Sequence, residues 1–105
     1  MGFFGFVPLG TTTFGFPIQV TNGSRTPSAP DAAPTWRIYQ GGGTSALLTG
    51  TASGTDTDAQ TGFRMVTGIS VTSGNGFAAG NTYVIRAAYA VSATNEVDLG
   101  TFVVT

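Results

Sequence analysis

The stretch Asn81-Thr-Tyr-Val-Ile-Arg-Ala-Ala-Tyr-Ala-Val-Ser92 decides the fold class of this chain of 105 residues. After Thr82, its odd positions are aromatic or apolar, whereas the even positions hold Arg86 and mostly small residues. Because side chains alternate between the two faces of a β-strand, this period of two predicts a strand with one buried face. Asn95 and Glu96 are predicted to separate it from a final strand over 97–104, so that the two strands form a hairpin.

A second alternation runs through Gly62–Thr72. Its predicted buried face carries Phe63, Met65, Ile69 and Val71, and its predicted exposed face carries Arg64, Gly68, Ser70 and Thr72. Upstream, Thr35–Gln40 and Ala46–Ala52 flank three consecutive glycines, which predicts another hairpin. Since 16 glycines and five prolines interrupt every window long enough for an amphipathic helix, the sequence predicts an all-β chain.

The domain organisation follows from where the breakers cluster. Residues 1–24 are predicted to be an apolar N-terminal arm with a candidate first strand, 25–34 a proline-rich connector, and 35–105 the body. Short strands separated by turn signals are typical of a two-sheet sandwich, so we predict an antiparallel immunoglobulin-like β-sandwich with an extended N-terminal arm. Its predicted core comprises Trp36, Ile38, Phe63, Met65, Ile69, Val71, Tyr83, Ile85 and Val97, with Phe77 closing one end.

Charge and N-terminal composition argue against two classes of partner. Only 9% of residues are charged, the net charge is −1, and the four arginines form no basic cluster that could neutralise a row of phosphates. Residues 1–24 lack a basic segment and are broken by glycine and proline, which predicts neither a signal peptide nor a membrane-spanning helix. We therefore expect no nucleic-acid partner and no membrane partner.

The side-chain chemistry argues against most catalysis. Histidine, cysteine and lysine are absent, which removes the usual general bases, most nucleophiles and thiolate metal sites. The remaining carboxylates fall in predicted loops or at strand ends: Asp31, Asp56, Asp58, Glu96 and Asp98. They could form a glycosidase-like pair or contribute to a Ca²⁺ site, but solvated loop charges are the favoured interpretation. We expect a protein that is not an enzyme, with no cofactor and no metal.

The N-terminal arm is the most informative segment for function. Five of the eight phenylalanines lie within the first 16 residues, and the candidate partner-binding residues are Phe3, Phe4, Phe6, Val7 and Leu9. In one interpretation, this arm folds back over an open end of the sandwich. In the other, it packs on another chain, as exposed apolar patches commonly do. Deleting residues 1–9 would then weaken binding but leave the melting temperature nearly unchanged.

Five segments, in their order and spacing, resemble small β-sandwich proteins encoded among the virion genes of tailed bacteriophages. They are Pro34-Thr-Trp-Arg-Ile-Tyr39, Leu48-Thr-Gly-Thr-Ala52, Thr61-Gly-Phe-Arg-Met-Val66, Asn75-Gly-Phe-Ala-Ala-Gly-Asn-Thr-Tyr-Val84 and Gly100-Thr-Phe-Val-Val104. The resemblance leaves out the N-terminal arm. It implies an immunoglobulin-like structural part of the virion, such as a capsid cement or decoration protein or a head or tail accessory, and it brings no catalytic residues.

Two functions are therefore expected from the sequence. The first is a capsid cement or decoration subunit on the capsid surface, assembled in the host cytoplasm, with the major capsid protein and copies of itself as partners. The alternative is an immunoglobulin-like module for a carbohydrate or cell-surface ligand. Its stacking platform would be drawn from Trp36, Tyr39, Tyr83 and Tyr89. Three of these four rings fall on predicted core faces, which favours the first function.

Overall fold

The computed structural model describes residues 2–105, and the regular structure of this part of the chain is almost entirely β. Its strands are β1 (Gly2–Val7), β2 (Thr11–Gln19), β3 (Thr35–Gln40), β4 (Leu48–Thr51), β5 (Phe63–Val71), β6 (Thr82–Ala90) and β7 (Thr94–Val104). Two 3₁₀ turns, Thr57–Ala59 and Ser73–Asn75, flank β5. The predicted all-β fold class is confirmed.

The strands form two sheets that face each other across one core. One sheet has five strands in the order β1-β7-β6-β3-β4, and the other consists of β2 and β5. Aromatic rings from the two sheets meet between them: Phe14 and Phe102 have ring centroids 4.7 Å apart, and Phe16 and Trp36 5.8 Å apart. The chain is thus a β-sandwich. The antiparallel prediction is wrong for one pair, because β1 runs parallel to β7.

Most of the predicted core is buried. The buried members of that prediction are Trp36, Ile38, Ile69, Val71, Tyr83 and Ile85, and Phe77 is also buried. Val97 is half-buried and packs against the core. The N-terminal half adds residues that were not predicted there, namely Val7, Phe16, Ile18 and Val20.

The predicted faces of β5 are wrong at its start, because the strand contains a bulge. Phe14 pairs with Ile69 and Phe16 with Val66, so two steps along β2 match three along β5. Gly68 supplies the left-handed conformation, with φ of +72°. The extra residue reverses the alternation. Val66 therefore turns inward and is buried, as is Arg64, while Phe63 and Met65 are only half-buried.

The buried Arg64 is satisfied by the loop that precedes its strand. Its Nε donates a hydrogen bond to Oδ1 of Asp56 at 2.9 Å, and its Nη1 donates to the Ser53 carbonyl at 3.0 Å. The same carboxylate oxygen accepts the backbone N–H of Gly62 at 3.1 Å. Asp56 therefore fixes the loop over β5, which is a structural role for one of the acidic residues considered as a ligand.

Both predicted hairpins form, with one shifted boundary. β3 and β4 pair antiparallel, from Thr35 with Thr51 to Ile38 with Leu48. β6 and β7 also pair antiparallel, but their turn lies at 91–93, where Ser92 has φ of +66°. The predicted break at Asn95 and Glu96 is wrong, because both residues belong to β7.

The predicted arm contributes one strand to each sheet. β1 joins the large sheet and β2 the small one, and the chain crosses between them at a turn closed by the Thr11 N–H, which donates to the Pro8 carbonyl at 3.1 Å. The backbone N–H of Leu9 donates to the carbonyl of Thr105 at 3.0 Å. Over the predicted connector, 25–34, the only pairing among the described residues is an isolated bridge between Thr21 and Pro27.

Candidate partner-binding surface

β1 is an edge strand of the five-stranded sheet. Among residues 2–105 its only strand partner is β7, so the far side of its backbone is unpaired. The residues Gly2–Val7 carry no charge, and the only proline of this region, Pro8, follows the strand. Charges, prolines and short length are the usual devices that prevent an edge from pairing with another chain. β1 has no charge and no proline within its six residues, and its one protective feature is a bulge.

A bulge in β1 places two phenylalanine rings on the same face. Phe3 pairs with Thr101 and Phe6 with Val103, so three steps along β1 match two along β7. Gly5 makes this possible, since its φ is +93°. Without the extra residue, the two rings would point to opposite faces. Instead they meet edge to face, with centroids 5.6 Å apart.

These two rings are the most exposed large apolar side chains in the described part of the chain. Phe6 is 69% exposed and Phe3 58%, followed by Leu9 at 40%. Folding normally removes such side chains from water, at about 1.5–3 kcal/mol for each fully buried side chain. Two adjacent exposed rings could therefore still gain most of this burial free energy by packing against another surface.

The other two predicted partner-binding residues belong to the interior. Val7 is buried, and Phe4 packs against the core with its ring centroid 6.2 Å from that of Phe16. The Phe4 ring covers Gly100 so closely that a Cβ there would lie 2.7 Å from Cε2 of Phe4. The structure thus divides the predicted set: Phe4 and Val7 hold β1 in place, whereas Phe3, Phe6 and Leu9 face solvent.

The apolar surface continues across neighbouring strands. The register places Phe3, Thr101 and Val84 in one row, and Phe6 and Val103 in the next. Val84 and Val103 are half-buried on this outer face. We call the surface formed by Phe3, Phe6, Leu9, Val84 and Val103 the Phe3 patch. The two valines were not predicted as part of a binding surface, and strict alternation from the predicted core residue Val97 would place Val103 on the core face. Because one step along β6 matches two along β7 between Gly100 and Asp98, Val103 lies on the outer face instead.

On the same face, Arg86 is paired with Asp98 and Glu96, whereas its cross-strand neighbour Arg37 has no ion-pair partner among the described residues. The Arg86 Nε donates a hydrogen bond to Oδ1 of Asp98 at 2.7 Å, and its Nη1 lies 3.7 Å from Oε2 of Glu96. The hydrogen bond that Arg86 donates to Asp98, together with the negative charge of that carboxylate, raises the pKa of the Arg86 guanidinium above its usual value. Such exposed pairs contribute little to stability.

The aromatic platform considered for a carbohydrate is not available. Trp36, Tyr83 and Tyr89 are buried, and Tyr39 alone is half-buried on the outer face. The opposite edge of the sheet, at β3 and β4, has a shallow groove of about 260 Å³ whose lining includes Thr35, Arg37, Thr49 and Thr51. Trp36 also lines this groove, but it is only 7% exposed, so the groove offers no exposed aromatic ring for stacking.

Residues 2–105 also lack two further kinds of feature. Among residues 2–105, no three acidic, histidine or cysteine side chains gather closely enough to hold a metal ion. The same residues form no helix with the length and hydrophobicity that crossing a lipid bilayer would require. Comparison with protein-family models, curated proteins and solved structures finds no match.

Proposed function

We propose that this chain is a structural protein of a tailed-bacteriophage virion, a capsid cement or decoration subunit that binds the major capsid protein. The Phe3 patch would be the binding surface, and the subunit would lie on the capsid surface after assembly in the host cytoplasm. Copies of the same chain would be the second partner, in a homo-oligomer. The sequence resemblance of the body supports the class, and the exposed Phe3 and Phe6 rings support the binding role.

The single observation that carries this proposal is the exposed pair of rings on a fixed strand. Because Phe4 and Val7 anchor β1 in the sheet, the backbone that carries Phe3 and Phe6 is held in place before any partner arrives. Pre-organised aromatic anchors lose little conformational freedom on binding, and such anchors carry much of the energy of an interface. A cement subunit needs this combination of a stable body and a ready apolar contact.

We also propose that the sandwich is immunoglobulin-like, and its strand order supports this. In that fold one sheet has neighbouring strands G, F, C and C′, and the other includes neighbouring strands B and E. The order β7-β6-β3-β4 and the pair β2-β5 correspond to these two sets. Trp36 lies buried on β3, where the fold places its core tryptophan.

A hydrogen bond of Tyr83 supports the same proposal. Tyr83 lies near the start of β6, is fully buried, and its hydroxyl accepts the backbone N–H of Ala78 at 2.8 Å. Immunoglobulin-like domains often place a tyrosine at this corner, with its hydroxyl bonded to the backbone a few residues upstream. Ile85 then occupies the position two residues further on, where antibody domains have a cysteine.

The proposal involves no catalysis and no cofactor. The carboxylates of Asp56, Glu96 and Asp98 are all engaged with arginines, so their contacts are structural. A cement subunit acts through contacts alone. Its effect would be to stabilise the shell to which it binds.

Co-purification tests the proposal directly. Virions from the bacterial lysate that contains this protein would be banded on a density gradient, and the band probed with an antibody raised against the chain. We expect the full-length chain in the particle band, in copy number proportional to the major capsid protein. Finding the chain only in the soluble fraction would contradict the proposal.

The alternative proposal, an immunoglobulin-like module for a carbohydrate or cell-surface ligand, rests on the polar groove beside Arg37. A glycan array probed with the labelled chain distinguishes the two. Specific glycan binding that is lost in Arg37→Ala and retained in the Phe3→Ser/Phe6→Ser double variant would favour the alternative. A blank array together with particle association would favour the cement role.

A further inference from the structure

The sequence contains two Asn-Gly pairs, Asn22-Gly23 and Asn75-Gly76. This dipeptide is prone to loss of the asparagine amide, because glycine has no side chain to shield its backbone nitrogen. We propose that Asn22 is a site of spontaneous deamidation in the folded protein and that the fold protects Asn75. This inference is independent of the proposed function.

The reaction needs only water and a base. The backbone nitrogen of Gly23 gives up its proton and attacks Cγ of Asn22, forming a new N–Cγ bond. The Cγ–Nδ2 bond then breaks, and the side-chain nitrogen leaves as ammonia after taking up protons from water. One water molecule opens the resulting succinimide ring at either carbonyl, which gives aspartate or isoaspartate. In total one water is consumed and one ammonia released, with no change of oxidation state.

At Asn22 the attacking and leaving groups are both free. Within residues 2–105, neither the Gly23 N–H nor the Asn22 Nδ2 has a hydrogen-bond partner, and Gly23 is exposed. The Oδ1 of Asn22 accepts two backbone hydrogen bonds, from Ser24 at 2.8 Å and from Thr26 at 3.1 Å. Negative charge develops on this oxygen during the attack, so two donors aimed at it favour the reaction, as in an oxyanion hole.

At Asn75 both groups are held. The Gly76 N–H donates to the Ser73 carbonyl at 3.0 Å, and Nδ2 of Asn75 donates to the Ser70 carbonyl at 2.9 Å. Both hydrogen bonds must break before Gly76 can attack. On the usual strength of such bonds, this slows the reaction by roughly tenfold or more.

Trypsin separates the two sites, since it cleaves after arginine and the arginines lie at positions 25, 37, 64 and 86. The folded protein would be incubated at mildly alkaline pH in water enriched in oxygen-18, digested briefly, and analysed by mass spectrometry. We expect the peptide 1–25 to gain the labelled oxygen at Asn22 at least roughly ten times faster than 65–86 gains it at Asn75.

Two controls isolate the contribution of the fold. In concentrated urea the hydrogen bonds of Asn75 are lost, and the two sites should react at similar rates. In Gly23→Ala the new methyl shields the nitrogen, so Asn22 should react much more slowly. The melting temperature should not change, because a Cβ at Gly23 would meet nothing within 4 Å.

Several results would overturn the inference. One is equal rates at both sites in the folded protein, and another is a faster reaction at Asn75. A third is an Asn22 that stays intact while the unfolded chain reacts. A faster Asn22 in the folded state, with the difference abolished in urea, would establish it.

Discussion

At each edge of the five-stranded sheet, an aromatic ring packs over a glycine of the neighbouring strand. The two edges differ in whether the edge strand supplies the ring or the glycine. At one edge the ring of Trp36, on the inner strand β3, covers Gly50 of the edge strand β4, where a Cβ would lie 2.4 Å from Cζ2. At the other edge the ring belongs to the edge strand, since Phe4 of β1 covers Gly100 of β7. In each of these two strand pairs, β3–β4 and β1–β7, one aromatic ring packs against one glycine of the partner strand.

The difference between these edges indicates where the molecule can bind. β4 has four residues, among them two exposed threonines, whereas β1 has six residues and presents Phe3 and Phe6 to solvent. A short polar edge resists pairing, and a longer apolar one invites it. The short polar β4 edge is therefore less suited to contact with another chain than the apolar β1 edge.

Removing the Trp36 ring at the β4 edge should have the largest effect on the free energy of unfolding. Trp36→Ala opens a cavity between Phe16 and β4, and we expect the free energy of unfolding to fall by about 3–5 kcal/mol. Urea unfolding followed by circular dichroism measures this loss. A loss below about 1 kcal/mol would show that Trp36 does not support the core.

Adding a methyl group at the β4 edge should have the next largest effect on the free energy of unfolding. In Gly50→Ala the new carbon would lie 2.4 Å from Cζ2 of the buried Trp36 ring, so the ring or β4 must shift, and we expect a loss of about 1–3 kcal/mol. Gly54→Ala is the matched control, because a Cβ there would meet nothing within 4 Å. If both variants unfold at the same urea concentration, the fit of Trp36 against Gly50 is not structural.

The equivalent change at the β1 edge should lower the free energy of unfolding less, and its effect should be confined to that edge. In Gly100→Ala the new carbon would lie 2.5 Å from the Gly2 carbonyl oxygen, and β1 can move away because its far side is free. We expect about 1–2 kcal/mol of destabilisation. Amide exchange should accelerate in β1 far more than in β6. If amide exchange accelerated equally in β1 and β6, the expectation that β1 opens independently of the rest of the sheet would be wrong.

The smallest effect on stability should come from the exposed rings themselves. Phe3→Ser/Phe6→Ser removes no core contact, so the free energy of unfolding should change by less than about 1 kcal/mol. Phe4→Ser is the matched comparison within the same strand, and it should destabilise the fold more because Phe4 packs on the core. A reversed order would show that the Phe3–Phe6 pair is part of the fold.

The alternation of apolar and polar side chains predicts well where the strands of this protein lie. It predicts which face of a strand is buried only over segments that contain no bulge. The β6 pattern is confirmed at Tyr83 and Ile85, where no bulge intervenes. At β5 the same reasoning failed for Phe63 and Met65, because an extra residue at Gly68 reverses the alternation and a period of two cannot reveal it. A glycine within an alternating strand is the available signal, since bulges commonly need its left-handed backbone.

The candidate site was predicted in part for the same reason. The cluster of phenylalanines indicated the right segment, but Gly5 decides that Phe3 and Phe6 share the outer face while Phe4 turns inward. The parallel pairing of β1 with β7 joins the two ends of the chain, and local sequence contains no information about it. Val84 and Val103 became part of the surface only through that pairing.

The most direct test of the central claim is the binding of purified subunit to virions from which it has been removed. Occupancy and melting temperature would be measured together for three proteins: the natural chain, Phe3→Ser/Phe6→Ser, and the β4-edge control Thr49→Ser/Thr51→Ser. We predict similar melting temperatures for all three and binding at least roughly 100-fold weaker for the phenylalanine variant alone. Full binding by the phenylalanine variant, or equal loss in the control, would contradict the account.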